Sequence, residues 1–148
     1  PIWTSLYRLA FSITRNSSDA QEAVAEAVCR AYERYPQLRE KEKLPRWLLK
    51  ITANEARRLC QRRGRTVSLD DLPTEPAIPG RETGDDTLWQ AVQTLPRDQR
   101  EAVVLFYYED LPTEEIARIV GTSPGAVRVR LSRAREKLRS ILKEGDYG

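Results

Sequence analysis

The sequence predicts an all-α protein in which two small helical domains are joined by a flexible linker. Apolar residues recur at helical spacing over residues 1–63 and again over 87–148, and no segment shows the alternation typical of a strand. Residues 64–86 contain three prolines, three glycines and six acidic residues, but no periodic apolar face. This composition is typical of a linker that has no hydrophobic core of its own.

The first domain is predicted to begin with two helices. Residues 2–15 place apolar side chains at helical spacing, and the polar residues 16–19 interrupt the pattern. Because Asp19 is followed by Glu22, as in a capping box, we expect the second helix to begin at Asp19 and to end at Pro36. Its acidic side chains form either a solvated face or a docking face for a protein partner. Its buried stripe is expected to comprise Ala20, Val24, Ala27, Ala31 and Tyr35.

A third helix is predicted from Pro45 to about Arg63, and its two sides differ in chemistry. An aromatic ring, an amide and several cations on one side suit single-stranded nucleic acid, in which bases stack and phosphates need neutralising. Trp47 is equally consistent with a packing residue at the rim of a small core. The polar side carries Trp47, Lys50, Asn54, Arg57, Arg58 and Gln61, and the apolar side carries Leu44, Leu48, Ile51, Thr52 and Leu59.

The second domain ends in the pattern of a helix-turn-helix. A short helix is expected to end at Gly121, because glycine suits the left-handed position that terminates a helix. Ser123 can cap the following helix, and Pro124 is tolerated in its first turn. A tight turn that leads into an arginine-rich helix is typical of proteins that read duplex DNA.

The last helix separates a packing face from a face that can enter a DNA groove. Arg128 and Arg133 lie where base edges can be reached, and the other cations would meet phosphates on both walls of a major groove. The alternative is a solvated basic helix whose charges only aid solubility. The packing face comprises Val127, Leu131, Ala134, Leu138, Ile141 and Leu142. The outward face comprises Val129, Ser132, Arg133 and Glu136, flanked by Arg128, Arg135 and Arg139 on one side and by Arg130 and Lys137 on the other.

Composition excludes several other classes of protein. Two cysteines and no histidine provide neither the usual zinc spacing nor a disulfide framework, so no metal or cofactor is expected and both thiols are expected to be reduced. No apolar run is long enough to span a bilayer and no leader opens the chain, so we expect no membrane insertion and a cytoplasmic protein. Because the chain contains no methionine, we expect the natural protein to begin before Pro1.

Three motifs in this order resemble the bacterial extracytoplasmic-function (ECF) sigma factors of RNA polymerase. Residues 19–35 resemble region 2.2 of that family, and residues 47–54 resemble its regions 2.3 and 2.4. Residues 95–139 resemble region 4, and 125–138 are the most specific stretch. The resemblance covers nearly the whole chain apart from the linker. It implies a non-enzymatic transcription initiation factor with a sigma region 2 at 1–63, a linker at 64–86 and a sigma region 4 at 87–148.

The resemblance also implies partners and contact residues. The partners are core RNA polymerase, promoter DNA and an anti-sigma factor. The second helix would dock on the polymerase clamp through Gln21, Glu22 and Glu26. The -10 element would be captured as a single strand by Asn54, Trp47, Lys50, Arg57, Arg58, Lys41 and Lys43. The -35 element would be read as a duplex by Arg128, Val129, Ser132, Arg133, Arg130, Arg135 and Lys137.

Two other functions remain open on the residues alone. A helix-turn-helix regulator that does not act through core polymerase would have a similar second half, but its sensor domain should show an α/β pattern around a pocket. An enzyme acting on nucleic acid would need a metal cluster, a histidine base or an activated nucleophile, and the sequence offers none of these.

Overall fold

The computed structural model describes residues 2–64 and 86–147, with residues 86 and 144–147 described by their backbone alone. The chain divides into two compact units, Pro1–Ile78 and Pro79–Gly148. All regular elements within the described residues are helical, which confirms the prediction of an all-α protein with two helical units. The predicted linker lies almost entirely outside the described residues, and the boundaries 1–63, 64–86 and 87–148 stay predictions.

The first unit consists of three long helices that pack against one another. They are α1 (Ile2–Thr14), α2 (Ser17–Arg34) and α3 (Leu44–Arg62), and two 3-10 turns, Tyr35–Gln37 and Lys41–Lys43, join α2 to α3. Small residues on α2 and α3 let the backbones approach, and larger side chains of α1 fill the remaining space. The core of this unit comprises Leu6, Leu9, Ile13, Ala20, Ala23, Val24, Ala27, Leu49, Ala53, Ala56 and Leu59.

The start of α2 differs from the capping-box prediction. The N-cap residue is Asn16, whose side-chain oxygen accepts a hydrogen bond from the backbone N–H of Asp19 at 2.9 Å. Asp19 therefore lies in the first turn, where it is 1% exposed, and not at the cap. Tyr35 was also expected in the buried stripe, but it lies beyond α2 in the first 3-10 turn and is 42% exposed.

The second unit contains four helices with its core between them. They are α4 (Asp86–Gln93), α5 (Arg97–Val103), α6 (Thr113–Val120) and α7 (Pro124–Tyr147), and α5 continues into a π-helical turn at Val104–Tyr108. Trp89 is buried in α4, whereas its neighbour Leu88 is 37% exposed. The core comprises Trp89, Val92, Leu95, Val103, Leu105, Ile116, Ile119, Val127, Leu131 and Ala134.

The turn between α6 and α7 has the geometry that the sequence predicts. Gly121 ends α6 in the left-handed conformation with φ +78°, and its N–H donates to the carbonyl oxygen of Ala117 at 2.8 Å. Ser123 Oγ accepts from the N–H of Ala126 at 3.1 Å, which caps the first turn of α7. The predicted helix-turn-helix is therefore confirmed.

Two further features concern the whole of the described chain. Cys29 is exposed and Cys60 is buried, and both are free thiols. None of the helices in the described parts is long and apolar enough to cross a bilayer.

Candidate nucleic-acid and protein interfaces

The outward face of α7 is the first candidate for contact with DNA. Val129, Ser132 and Arg133 are exposed, whereas Val127 and Leu131 are buried, so the predicted separation of the two faces is confirmed. Val129 is 47% exposed among polar neighbours. An exposed apolar side chain in this position suits contact with a thymine methyl group. The use of this face on DNA stays a prediction.

The arginines of α7 differ in what holds them. Arg128 and Arg133 are exposed and form no ion pair with another residue of the described chain. The Arg130 side chain is only 27% exposed, and its Nε lies 3.7 Å from a carboxylate oxygen of Asp98. Arg128 and Arg133 therefore keep all their N–H donors available for a ligand, whereas Arg130 is partly engaged within the unit.

Arg135 contacts aromatic side chains of its own unit. Its Nε–H donates to the hydroxyl of Tyr107 at 2.6 Å. Its guanidinium carbon lies 5.7 Å from the ring centroid of Phe106 and 5.8 Å from that of Tyr107. Lys137 is exposed and pairs with no carboxylate in the described parts of the chain. Of the five cations of this helix that were predicted to contact the -35 element, two are thus restrained and three are not.

The polar side of α3 is the second candidate surface. Asn54 is exposed, and its side-chain amide has no hydrogen-bond partner among the residues the structure describes. Trp47 is half-buried, because it packs against a small apolar cluster formed by Ala27, Ala31 and Ile51. The packing interpretation of Trp47 is therefore supported, and only part of its ring remains accessible to a ligand.

A buried carboxylate of α3 pairs with one cation of α2 and one of α3. Glu55 is 7% exposed and pairs with Arg30 Nε at 2.6 Å and with Arg58 Nη1 at 2.7 Å. Lys50 is exposed and Arg57 is half-buried. Because Glu55 holds two guanidinium groups from different helices, it links α2 to α3 and restrains Arg58 at the edge of the polar side.

The two lysines of the loop before α3 are also engaged. Lys41 Nζ donates to the carbonyl oxygens of Tyr35 and Leu38 at 2.9 and 2.8 Å, and it lies 3.9 Å from the ring centroid of Tyr35. Lys43 pairs with Glu40 at 2.9 Å on the protein surface. Lys41 therefore stabilises the turn in addition to carrying a positive charge.

The acidic residues of α2 form a third surface. Gln21, Glu22 and Glu26 are exposed, as a docking face requires. Glu22 accepts from Arg63 Nη2 at 2.8 Å, and the same guanidinium donates through Nη1 to the buried Asp19 at 2.7 Å. One arginine at the end of α3 thus holds two carboxylates at the beginning of α2.

Comparison with known proteins identifies both halves of the chain. Residues 4–66 match the family described as Sigma-70 region 2, and residues 85–138 match the family described as Sigma-70, region 4. RNA polymerase sigma factor SigV of Bacillus subtilis (strain 168) is 32% identical over 142 residues, which cover 95% of this chain and 86% of that protein. ECF RNA polymerase sigma factor EcfG of Rhodopseudomonas palustris (strain TIE-1) is 32% identical over 143 residues, which cover 93% and 79%. The chain belongs to the ECF family of RNA polymerase sigma factors.

A solved structure resembles this ECF sigma factor over most of its length. The sigma factor RpoE, solved in complex with the anti-sigma factor NepR from Bartonella quintana, matches with a TM-score of 0.77 and 26% identity. The match covers 96% of this chain and 92% of that one. Two longer curated relatives are spanned by this chain over only 36% and 57% of their own length.

As an ECF sigma factor, the protein directs core RNA polymerase to specific promoters and initiates transcription. Its partners are core polymerase and promoter DNA. The resemblance found in the sequence is therefore confirmed, and a regulator that acts without core polymerase is not favoured. The residues that make these contacts stay predictions.

The side chains that restrain the candidate contact residues of this sigma factor were not predicted from its sequence. Glu55 lies three residues before Arg58, a spacing that favours an ion pair on a helix and offered a usable signal. Arg63 and Tyr107 are far in sequence from the residues they hold, and helical periodicity contains no information about such pairs.

Proposed function

We propose that the two units of this ECF sigma factor carry out separate parts of promoter recognition. Residues 1–63 bind the polymerase clamp and the -10 element, residues 64–86 link the units, and residues 87–148 read the -35 element. The observation that carries this proposal is the exposed and unpaired state of Arg128 and Arg133 on the outward face of a helix-turn-helix. Arginines in this situation can form bidentate contacts with guanine edges in a major groove.

The other candidate contact residues of α7 also support recognition of duplex DNA by this helix. Arg130, Arg135 and Lys137 contact phosphates, and phosphate contacts set the register of the helix without specifying bases. Val129 and Ser132 lie between the two base-reading arginines, on the part of α7 that faces the base edges. The partial pairing of Arg130 with Asp98 means that this arginine exchanges one anionic partner for another when DNA binds.

The polar side of α3 serves the melted -10 element. Asn54 can both donate and accept hydrogen bonds, so its exposed amide suits an unstacked base that has lost its pairing partner. The half-buried Trp47 contributes the accessible part of its ring to stacking while its remaining surface anchors the helix. The cations that neutralise the phosphates of the melted DNA strand are Lys50, Arg57, Arg58, Lys41 and Lys43.

The acidic face of α2 is the docking surface for core polymerase. Gln21, Glu22 and Glu26 are exposed together on this helix, and they would meet a basic or amide-rich surface on the clamp. Arg63 holds the Glu22 carboxylate on the side nearer α3, which reduces the entropy that Glu22 loses on binding. Gln21 and Glu26 complete the contact.

The role of a sigma factor also implies how this protein is regulated and where in the cell it acts. The solved relative RpoE is bound to an anti-sigma factor, and this chain is held inactive by a protein of the same class. The protein acts in the cytoplasm, where bacterial RNA polymerase meets the chromosome. It supplies binding energy for promoter recognition and opening and catalyses no reaction itself.

Run-off transcription on a promoter library with purified core polymerase tests this function. The protein should direct initiation from a subset of promoters that share a -35 and a -10 element, and it should bind duplex DNA weakly without core enzyme. If it supports no initiation with any bacterial core enzyme but binds an operator tightly as a dimer, the proposal fails in favour of a regulator that acts without polymerase.

A further inference from the structure

The geometry points to Tyr107 as a positioning residue for promoter binding, which acts by fixing the Arg135 guanidinium at the edge of α7. The inference rests on the proposed function, because it assigns a phosphate of the -35 element as the ligand of Arg135. Tyr107 lies in the π-helical turn that follows α5, and it is not among the residues predicted from the sequence to contact DNA.

Three contacts restrain the Arg135 side chain. The hydrogen bond from Nε to the Tyr107 hydroxyl is 2.6 Å long, and the guanidinium lies within 6 Å of two ring centroids. The rings of Phe106 and Tyr107 meet edge to face, with centroids 4.8 Å apart and an interplanar angle of 80°. Two rings and one hydrogen bond therefore fix the plane of the guanidinium as well as its position.

These contacts leave most of the hydrogen-bonding capacity of the pair unused. A guanidinium has five N–H donors, and only the Nε–H is engaged with Tyr107. The two terminal amino groups of Arg135 have no partner within the described parts of the chain. The Tyr107 hydroxyl accepts from Nε, so its own hydrogen remains available as a donor. Together the two side chains present several donors to one anionic group.

Arg135 differs from the other restrained cations because its partner, Tyr107, carries no charge. Arg130 lies beside the Asp98 carboxylate and Arg58 beside Glu55, and both must weaken an ion pair to meet DNA. Arg135 is held by a neutral hydroxyl and by aromatic faces, so its charge is not offset by a carboxylate of the described chain. An arginine side chain loses rotamer entropy when it becomes fixed. Prior ordering by Tyr107 reduces this cost when phosphate binds.

The test uses the full chain assembled with core polymerase on a duplex promoter, with affinity measured over a range of salt concentrations. Tyr107→Phe removes the hydroxyl and keeps both rings, and it should weaken binding by about 2- to 10-fold, the range expected for one hydrogen bond. Arg135→Ala should weaken binding more and should reduce the salt slope by about 1, as expected for one lost phosphate contact. The thermal stability of Tyr107→Phe should match that of the parent.

The double variant separates positioning from an independent effect. Tyr107→Phe should cause no further loss in the Arg135→Ala background, because its effect passes through Arg135. Arg135→Lys keeps the charge but lacks the Nε donor, so it should behave like Tyr107→Phe and should not restore full affinity. Additive losses in the double variant would overturn the inference.

Arg133→Ala distinguishes failure of this inference from failure of the proposed function. If Arg133→Ala weakens promoter binding while Arg135→Ala changes neither the affinity nor the salt slope, the Tyr107–Arg135 pair is only structural and the inference is wrong. If neither variant has an effect, α7 does not read the promoter, and the proposed function of the second unit fails with it.

Discussion

Arg63, the residue that follows the last turn of α3, forms an ion pair with Asp19 in the first turn of α2, with 2.7 Å between Nη1 and Oδ1. Asp19 is 1% exposed, so its carboxylate depends on protein groups in place of water. Arg63 is partly exposed and also reaches the surface residue Glu22. The bridge thus connects the core of the first unit to the acidic face proposed to dock on polymerase.

Replacing Arg63 should destabilise the first unit. Arg63→Ala removes a charged donor from the buried Asp19 carboxylate, and the loss of such a donor costs about 1–3 kcal/mol. Thermal unfolding monitored by circular dichroism measures the effect. Arg62→Ala is the matched control, because Arg62 is exposed and forms no ion pair within the described residues. Equal unfolding temperatures for the two variants would show that the bridge contributes nothing.

The buried stripe and the N-terminal cap of α2 illustrate what the sequence could and could not predict. Helical periodicity identified the apolar stripe from Ala20 to Ala31, because burial on a helix repeats every three to four residues. The cap was predicted at Asp19, although Asn16 fills it, because several polar residues in 16–19 have similar capping preferences. Asp19 instead forms a tertiary ion pair with Arg63, a partner that local sequence rules do not contain.

On the candidate contact surfaces, too, local sequence predicted which residues face outward but not which tertiary partners hold them. The outward face of α7 was predicted correctly because the turn at Gly121 and Ser123 fixes where the helix begins and therefore which residues face the core. The restraints on Arg130 and Arg135 come from Asp98 and Tyr107, which lie 28 or more residues away in sequence. Spacing along one helix contains no information about these tertiary partners.

Substitutions on α7 should separate base recognition from phosphate contact. Arg128→Ala and Arg133→Ala should each relax discrimination at one or two -35 positions, since an arginine paired with a guanine edge contributes about 1–3 kcal/mol. Lys137→Ala is the matched control, because this exposed lysine should weaken binding to all promoter sequences alike. A library of -35 variants, transcribed by each holoenzyme, measures both effects. The assignment of the groove-facing side is wrong if all three substitutions affect every promoter equally.

Replacing Asn54 should impair promoter opening. Asn54→Ala removes an exposed amide that has no partner in the described chain, so the protein should remain folded while an unstacked base loses its hydrogen bonds. Open-complex formation on duplex templates should fall, whereas binding to the -35 element should not change. A premelted -10 bubble should restore activity only in part, because the lost contact is to the base itself. Unchanged opening on duplex templates would remove Asn54 from the -10 surface.

Gly121 and Gly125 lie on either side of the turn in the helix-turn-helix, and their replacement should have opposite consequences for stability. Gly121 has φ +78°, and an alanine held in this left-handed conformation costs about 1–2 kcal/mol. Gly121→Ala should therefore lower the unfolding temperature of the second unit by several degrees. Gly121→Asn should lower it less, because asparagine tolerates the left-handed conformation better than alanine.

Gly125 lies within the first turn of α7, and a Cβ added there would come no closer than 4.0 Å to Arg128 Nη2 or Ser123 Oγ. Gly125→Ala should accordingly leave stability unchanged or raise it by up to about 1 kcal/mol, because alanine loses less backbone entropy in a helix than glycine. Thermal unfolding of the three variants provides the comparison. If Gly121→Ala unfolds at the same temperature as Gly125→Ala, the left-handed turn does not fix the start of α7, and the placement of Arg128 and Arg133 on its outward face must have another cause.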